Sequence, residues 1–297
     1  MMLTTLALLA SVDTASAAST LEVCASCTYT TIQSALDASV DGDTVLLKGG
    51  TFSEALTIST EVVVAGAWGT TNVIDGYGLA ANVMIKVSSD EVVIRNVEIS
   101  NFGTDSNGCD AADENNRAAV RIGNSQELRM QTVTVTGNCA YYAPILNYGF
   151  LALSSDSEIS GNRGTYAGAV YNRGVLQTWK NDNDHSVTIS DNWGGISGGI
   201  YSNDISSPGY TPGTYLRDAV FTGNTSLSHG GALTALDEAL LIEDTEFTDN
   251  EALTYSGGAW YYGGSDTLSH SGNTYSGNNA ANSGAENYHD ADSGATY

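Results

Sequence analysis

One four-residue phrase limits this chain more than any other feature: an apolar residue, then Ser or Thr, then Gly or Asp, then Asn. It occurs six times, as Val135-Thr136-Gly137-Asn138, Ile159-Ser160-Gly161-Asn162, Ile189-Ser190-Asp191-Asn192, Phe221-Thr222-Gly223-Asn224, Phe247-Thr248-Asp249-Asn250 and Tyr275-Ser276-Gly277-Asn278. The Asn residues are 24, 30, 32, 26 and 28 positions apart. A second phrase follows each Asn at a short distance: Pro144-Ile145, Gly168-Ala169, Gly199-Ile200, Gly231-Ala232, Gly258-Ala259 and Gly284-Ala285. The two phrases stay in phase while the repeat length varies, so insertions are confined to particular loops. That is the behaviour of a solenoid, in which each repeat is one turn and its neighbours bury its apolar face.

The chemistry of the phrase sets the geometry of the turn. Val133-Thr134-Val135 and Val187-Thr188-Ile189 alternate with period 2, which sends apolar side chains to one face of a strand and Thr to the other. The Gly/Asp-Asn pair tolerates left-handed backbone angles, so the strand turns a corner within two residues. Stacked coil on coil, the six Asn side chains are placed to form an amide ladder, with strands pairing in parallel about 4.8 Å apart. About nine such coils make a rod roughly 40 Å long. Upstream, Val45-Leu46-Leu47, Leu56-Thr57-Ile58, Val62-Val63-Val64, Met84-Ile85-Lys86-Val87 and Val92-Val93-Ile94 read as earlier, less regular coils. Ile32, Ala35 and Leu36 have helical spacing, with Thr30 or Thr31 as N-cap, and this helix would cover the open apolar end of the stack.

Two family resemblances accompany these phrases. Tyr29-Thr30-Thr31-Ile32-Gln33-Ser34-Ala35-Leu36, Gly42-Asp43-Thr44-Val45, Gly50-Thr51-Phe52 and Val73-Ile74-Asp75-Gly76 together resemble the N-terminal entry of pectate-lyase-like right-handed β-helix proteins. The pairing of Phe221-x-x-Asn224 with Gly230-Gly231-Ala232 is similar to the repeats of chlamydial polymorphic outer-membrane proteins. The expected fold is all-β, a right-handed single-stranded parallel β-helix with a short N-terminal capping helix. Residues 1–17 are expected to be a signal peptide, 18–44 the N-terminal cap and 45–297 the β-helix. The resemblances imply fold rather than activity, because the same solenoid carries lyases, hydrolases, adhesins and structural surface proteins.

Charge and cysteine content narrow the setting. Thirty-four acidic residues against ten basic ones leave a net charge of −24, which repels phosphate backbones and excludes nucleic acid as a partner. The apolar run Leu6-Ala7-Leu8-Leu9-Ala10 and the small-x-small site Ala15-Ser16-Ala17 carry the signal-peptide expectation. No later stretch is apolar over the roughly 18 residues of a membrane span, so none is expected in the mature chain. Cys24, Cys27, Cys109 and Cys139 form an even set suited to an oxidising compartment. Three pairings are open, of which Cys24 with Cys27 and Cys109 with Cys139 are favoured, the latter two being about one coil apart. Secretion or display at the cell surface is the expected location.

Function is written less plainly. If Ile145, Ala169, Ile200, Ala232 and Ala259 point inward, then Leu146, Val170, Tyr201, Leu233 and Trp260 form an outward stripe, followed by Glu286 after Ala285. Tyr201, Leu233 and Trp260 are therefore expected to bind a polysaccharide or a surface protein, without catalysis. The alternative is a lyase or hydrolase acting on acidic polysaccharide through Asp110, Asp113, Glu114 and Arg117, in the long loop from Gly103 to Arg117 that also carries Asp105, and through Arg121 close behind it. No cofactor is assigned; calcium is the ion this alternative would use. Asp182-Asn183-Asp184 lacks the Gly and distal Glu of a calcium loop. His185, His229, His270 and His289 match no catalytic motif, and His229 reads as a turn residue.

Overall fold

The computed structural model describes residues 17–105, 108–109, 113–154, 156–180, 186–203, 212–264, 266–282, 284 and 287–289. Most of the expected signal peptide, Asp110, the 182–185 stretch, Ala285 and Glu286 lie outside them. The main strands belong to four parallel sheets of ten, nine, nine and six strands, and a two-stranded antiparallel hairpin, Thr104–Asp105 with Gly108–Cys109, stands apart. One coil shows the path. Ile145–Asn147 lies in what we call the third sheet, Phe150–Ser154 in the first, Glu158–Ser160 in the second and Arg163–Gly164 in a narrow corner sheet. The chain then returns to the third sheet at Val170–Asn172, directly beside Ile145–Asn147. The first sheet has ten rungs where about nine coils were expected.

The interior is a continuous apolar column, contributed alternately by each strand. Phe221, Phe247 and Tyr275 stack through it, with centroids 5.1 and 5.5 Å apart. At the corner after the second sheet, the expected amide ladder is present. Asn138 Nδ2 donates to Asn162 Oδ1 at 3.0 Å, and the same bond links Asn162 to Asn192, Asn192 to Asn224, Asn224 to Asn250 and Asn250 to Asn278 at 2.9–3.0 Å. Each Oδ1 also accepts the backbone N–H of the preceding Asn, so the side chains close the hydrogen bonds that the corner opens.

The second phrase has an equally plain cause, and its register corrects the sequence reading. A Cβ on Gly168 would lie 2.0 Å from the Gly198 carbonyl oxygen, one on Gly198 2.0 Å from that of Gly231, and one on Gly231 2.0 Å from that of Gly258. These four glycines form one column of backbone-to-backbone contact. Gly198-Gly199-Ile200 therefore aligns with Gly231-Ala232-Leu233, one residue away from the alignment expected above. In the observed register Ile145, Val170, Ile200, Leu233 and Trp260 are partners on successive rungs, all at most 1% exposed and all inward. Leu233 and Trp260 are thus core residues, not binding residues, because a slip of one position sends a side chain to the opposite face.

The N-terminal end is closed as expected. Thr31 caps the helix Ile32–Ala38 by accepting the Ser34 N–H at 3.2 Å, and Ile32, Ala35 and Leu36 are buried. Thr20–Val23 already pairs with Thr44–Leu47 as the outermost rung of the first sheet. Buried Asp43 ties this end together, accepting from Ser19 N, Ser19 Oγ and Val40 N at 2.7, 2.8 and 2.9 Å. Those bonds hold its carboxyl below the ordinary Asp value, the Val40 N–H contributing most. Cys24 is bonded to Cys27, and Cys109 to Cys139.

Candidate functional site

The outward side of the third sheet is where unusual side chains gather. Its strand partners run Thr57, Lys86, Arg121, Leu146, Tyr171, Tyr201, Thr234 and Tyr261 along the axis, one per coil. A second column forms in the bend ahead of each strand, where backbone hydrogen bonds link Arg117 to Tyr142, Tyr142 to Tyr166, Tyr166 to Ile196 and Ile196 to His229. Tyr148 and Arg173 stand just after their strands, and Asn203 ends the strand Ile200–Asn203.

These columns interlock. Leu146, Tyr171 and Tyr201 pack with Ala118, Ala143 and Ala167 into an apolar cluster outside the solenoid, edged by half-buried Tyr142, Tyr148, Tyr166, Ile196 and Leu236. Tyr166 stacks on Tyr171 with centroids 5.4 Å apart and planes 5° from parallel, and Tyr171 on Tyr201 at 5.0 Å. The Arg121 and Arg173 guanidiniums both lie against the Tyr148 ring, at 5.3 and 5.1 Å. Farther along, His229 lies between Tyr255 and Tyr261 at 4.7 and 4.4 Å.

Burial tunes the titrating groups. It pushes the Tyr171 phenol up to about 12 and raises Tyr201. It also lowers His229, which favours the neutral imidazole. Tyr166, and after it Glu114, hold Tyr141 above its ordinary value. Three polar atoms on this face, Asn203 Oδ1, Thr234 Oγ1 and His229 Nδ1, are buried with no hydrogen-bond partner among the described residues.

The structure sorts the residues singled out from sequence. Tyr201 is on this face but only 7% exposed, so it supports the surface rather than offering a ring to a ligand. Arg117 and Arg121 reach the face from the bend and the strand, with Glu114 at its edge near Tyr141. Asp113 is occupied within its own turn, accepting from Asn115 N at 2.9 Å and Asn116 Nδ2 at 3.3 Å. No cluster of three or more metal-binding side chains occurs among the described residues. Sequence reading missed Tyr142, Tyr148, Tyr166, Tyr171 and Arg173; the signal was present in Tyr171, Tyr201 and Tyr261, one column once the glycine phrase is aligned.

No family model matches the sequence, and no curated protein matches it. Among solved structures, two crystal structures of the pectin methylesterase from Aspergillus niger, in penultimately deglycosylated and deglycosylated form, superpose with a TM-score of 0.56 each. They are 16% and 17% identical to this chain, covering 93% of it and 91% of their own length. The fold is a pectate-lyase-like right-handed β-helix. At this identity the β-helix likeness extends to architecture alone, and the chemistry rests on the face just described.

Proposed function

We propose that this β-helix works outside the cell on an acidic polysaccharide, held across the outward face of the third sheet. The observation that carries the reading is the joining, on one face, of ring-stacked tyrosines and clustered cations. Lys86, Arg117, Arg121 and Arg173 are four of only ten basic residues in a chain of net charge −24, and they gather here. Guanidiniums bind sugar carboxylates by charge-assisted hydrogen bonds. The β-helix likeness to a pectin methylesterase supports the same class of polymer.

A second reading, turnover at the loop edge, is favoured by the approach of Glu114, Arg117 and Arg121 to the same tyrosines. Affinity electrophoresis through polygalacturonate, alginate and methyl-esterified pectin tests the first reading. Retarded wild-type protein and unretarded Arg121→Ala are expected, and free migration of wild type through all three polymers would overturn it. Ultraviolet detection of unsaturated products and assay of released methanol, with and without calcium, test the second. Turnover that survives Arg117→Ala and Glu114→Gln would remove the loop edge as its seat.

A further inference from the structure

A different feature stands at the edge of the first sheet, four strands before the long loop. From the end of Val63–Gly66 to the start of Asn72–Asp75 the chain takes five residues, Ala67 to Thr71, to turn between the first and second sheets. The next coil does so with two, Asn96 and Val97. The extra residues make a tight turn in which Thr70 N donates to Ala67 O at 3.4 Å and Gly69 takes φ +73°, a conformation glycine adopts without strain.

That turn is held from beneath. The Asn72 side chain, 3% exposed, donates to Ala67 O, Thr70 O and Thr70 Oγ1 at 3.3, 3.1 and 3.1 Å and accepts Gly49 N at 2.9 Å. Ala67 N donates to Leu47 O at 2.8 Å, and Thr70 Oγ1 to Ala67 O at 2.8 Å. The residue so presented is Trp68, which is 81% exposed, whereas Trp260 is fully buried and Trp179 and Trp193 are half-buried. Folding gains almost nothing from Trp68, yet its backbone is fixed in place.

Beside it lies a hollow of about 320 Å³, lined by Trp68, Leu46, Ala65, Arg95, Asn96 and Gln131 among others. Ala65, Arg95 and Gln131 are partners on successive rungs, so a small residue is followed along the axis by a guanidinium and a carboxamide. We propose that this hollow is a second glycan subsite, in which the apolar face of one pyranose ring rests on the Trp68 indole and its hydroxyls meet Arg95 and Gln131. A flat aromatic face edged by planar donors and acceptors suits a ring that is apolar on its faces and polar at its rim. The fixed turn removes the ordering cost that a mobile loop would add. This subsite lies on a different sheet from the tyrosine face and does not depend on it.

The test uses full-length Arg121→Ala/Arg173→Ala protein, in which the third-sheet face is impaired, titrated calorimetrically with xylohexaose, cellohexaose and hexagalacturonate. Binding of at least one oligosaccharide is expected, with a blue shift of tryptophan emission that Trp68→Phe abolishes. Adding Trp68→Ala should weaken that binding by roughly tenfold or more with an unchanged melting temperature, and Arg95→Ala should weaken it through a residue outside the turn. The subsite is overturned if none of the three binds the double variant, or if Trp68→Ala binds as tightly as its parent. A third-sheet face that fails while Trp68-dependent binding persists would refute the polysaccharide face and leave this subsite standing.

Discussion

Trp260 shows how much depends on one position of register. From the phrase Gly258-Ala259-Trp260 it read as an outward aromatic; in the fold it is fully buried and donates Nε1 to the Tyr275 hydroxyl at 3.0 Å. Trp260→Ala should therefore cost about 3–5 kcal/mol in denaturant unfolding, the range for emptying a large buried site, and a cost under 1 kcal/mol would put the side chain back at the surface. Tyr171 gives a pH test on the other face. Its folded value, about 12, lies above the ordinary 10.0 of an exposed phenol. The folded protein thus holds this proton more tightly than the unfolded chain. That contribution is fully present below pH 10 and is lost as pH rises through about 12. Chemical denaturation between pH 9 and 12 should show stability falling over this window, and falling less in Tyr171→Phe. Asp43 has the opposite sign: its folded value is depressed below 3.8, so its contribution is present above that value and is lost as pH falls through the lower folded one.

The ladder and the glycine column are properties of stacked elements rather than of single residues. Asn192 accepts from both Asn162 N and Asn162 Nδ2 and donates to Ile159 O and Asn224 Oδ1. Asn192→Ala leaves Asn162 N without this acceptor in a dry interior, at about 1–3 kcal/mol, and removes one bond each from Ile159 O, from Asn162 Nδ2, which keeps Val135 O, and from Asn224 Oδ1, which keeps the backbone N–H of residue 192. A loss above about 3 kcal/mol is expected, with a smaller loss for Asn278→Ala, whose side chain is half-buried at the last rung. Equal losses in the two variants on denaturant unfolding would argue against burial as the cause. Gly198→Ala should be worse still, since its Cβ meets backbone that cannot move without shifting the next coil. The ladder was legible in the sequence because its Asn recurs at the same step of six coils, and the glycine column was legible except in the coil where Gly199 was aligned in place of Gly198. The alternation of residues at the neighbouring corner was less so: a Cβ on Gly223 would meet Asp191 Oδ1, and one on Gly277 would meet Asp249 Oδ1. Glycine and aspartate take turns there, which keeps two carboxylates from stacking directly on each other.

At the scale of the whole molecule, period and phase revealed the solenoid, its cap and its ladder, since each depends on local spacing. The tyrosine face was hidden because it depends on register between coils of unequal length, where one misaligned glycine turns core residues into an apparent surface stripe. Arg117 and Arg121 were found from sequence through the loop that ends at the first and precedes the second, but Arg173, which meets Tyr148 from another coil, has no local motif. The central claim is that a polysaccharide lies across that face, and calorimetric titration with hexagalacturonate addresses it most directly. Arg121→Ala/Arg173→Ala should bind at least tenfold more weakly than wild type, the scale of one or two charge-assisted hydrogen bonds. Arg129→Ala and Arg163→Ala, which alter basic residues of the first and corner sheets, should bind as wild type does. Equal affinity in all these proteins, or the largest loss in Arg129→Ala or Arg163→Ala, would contradict it.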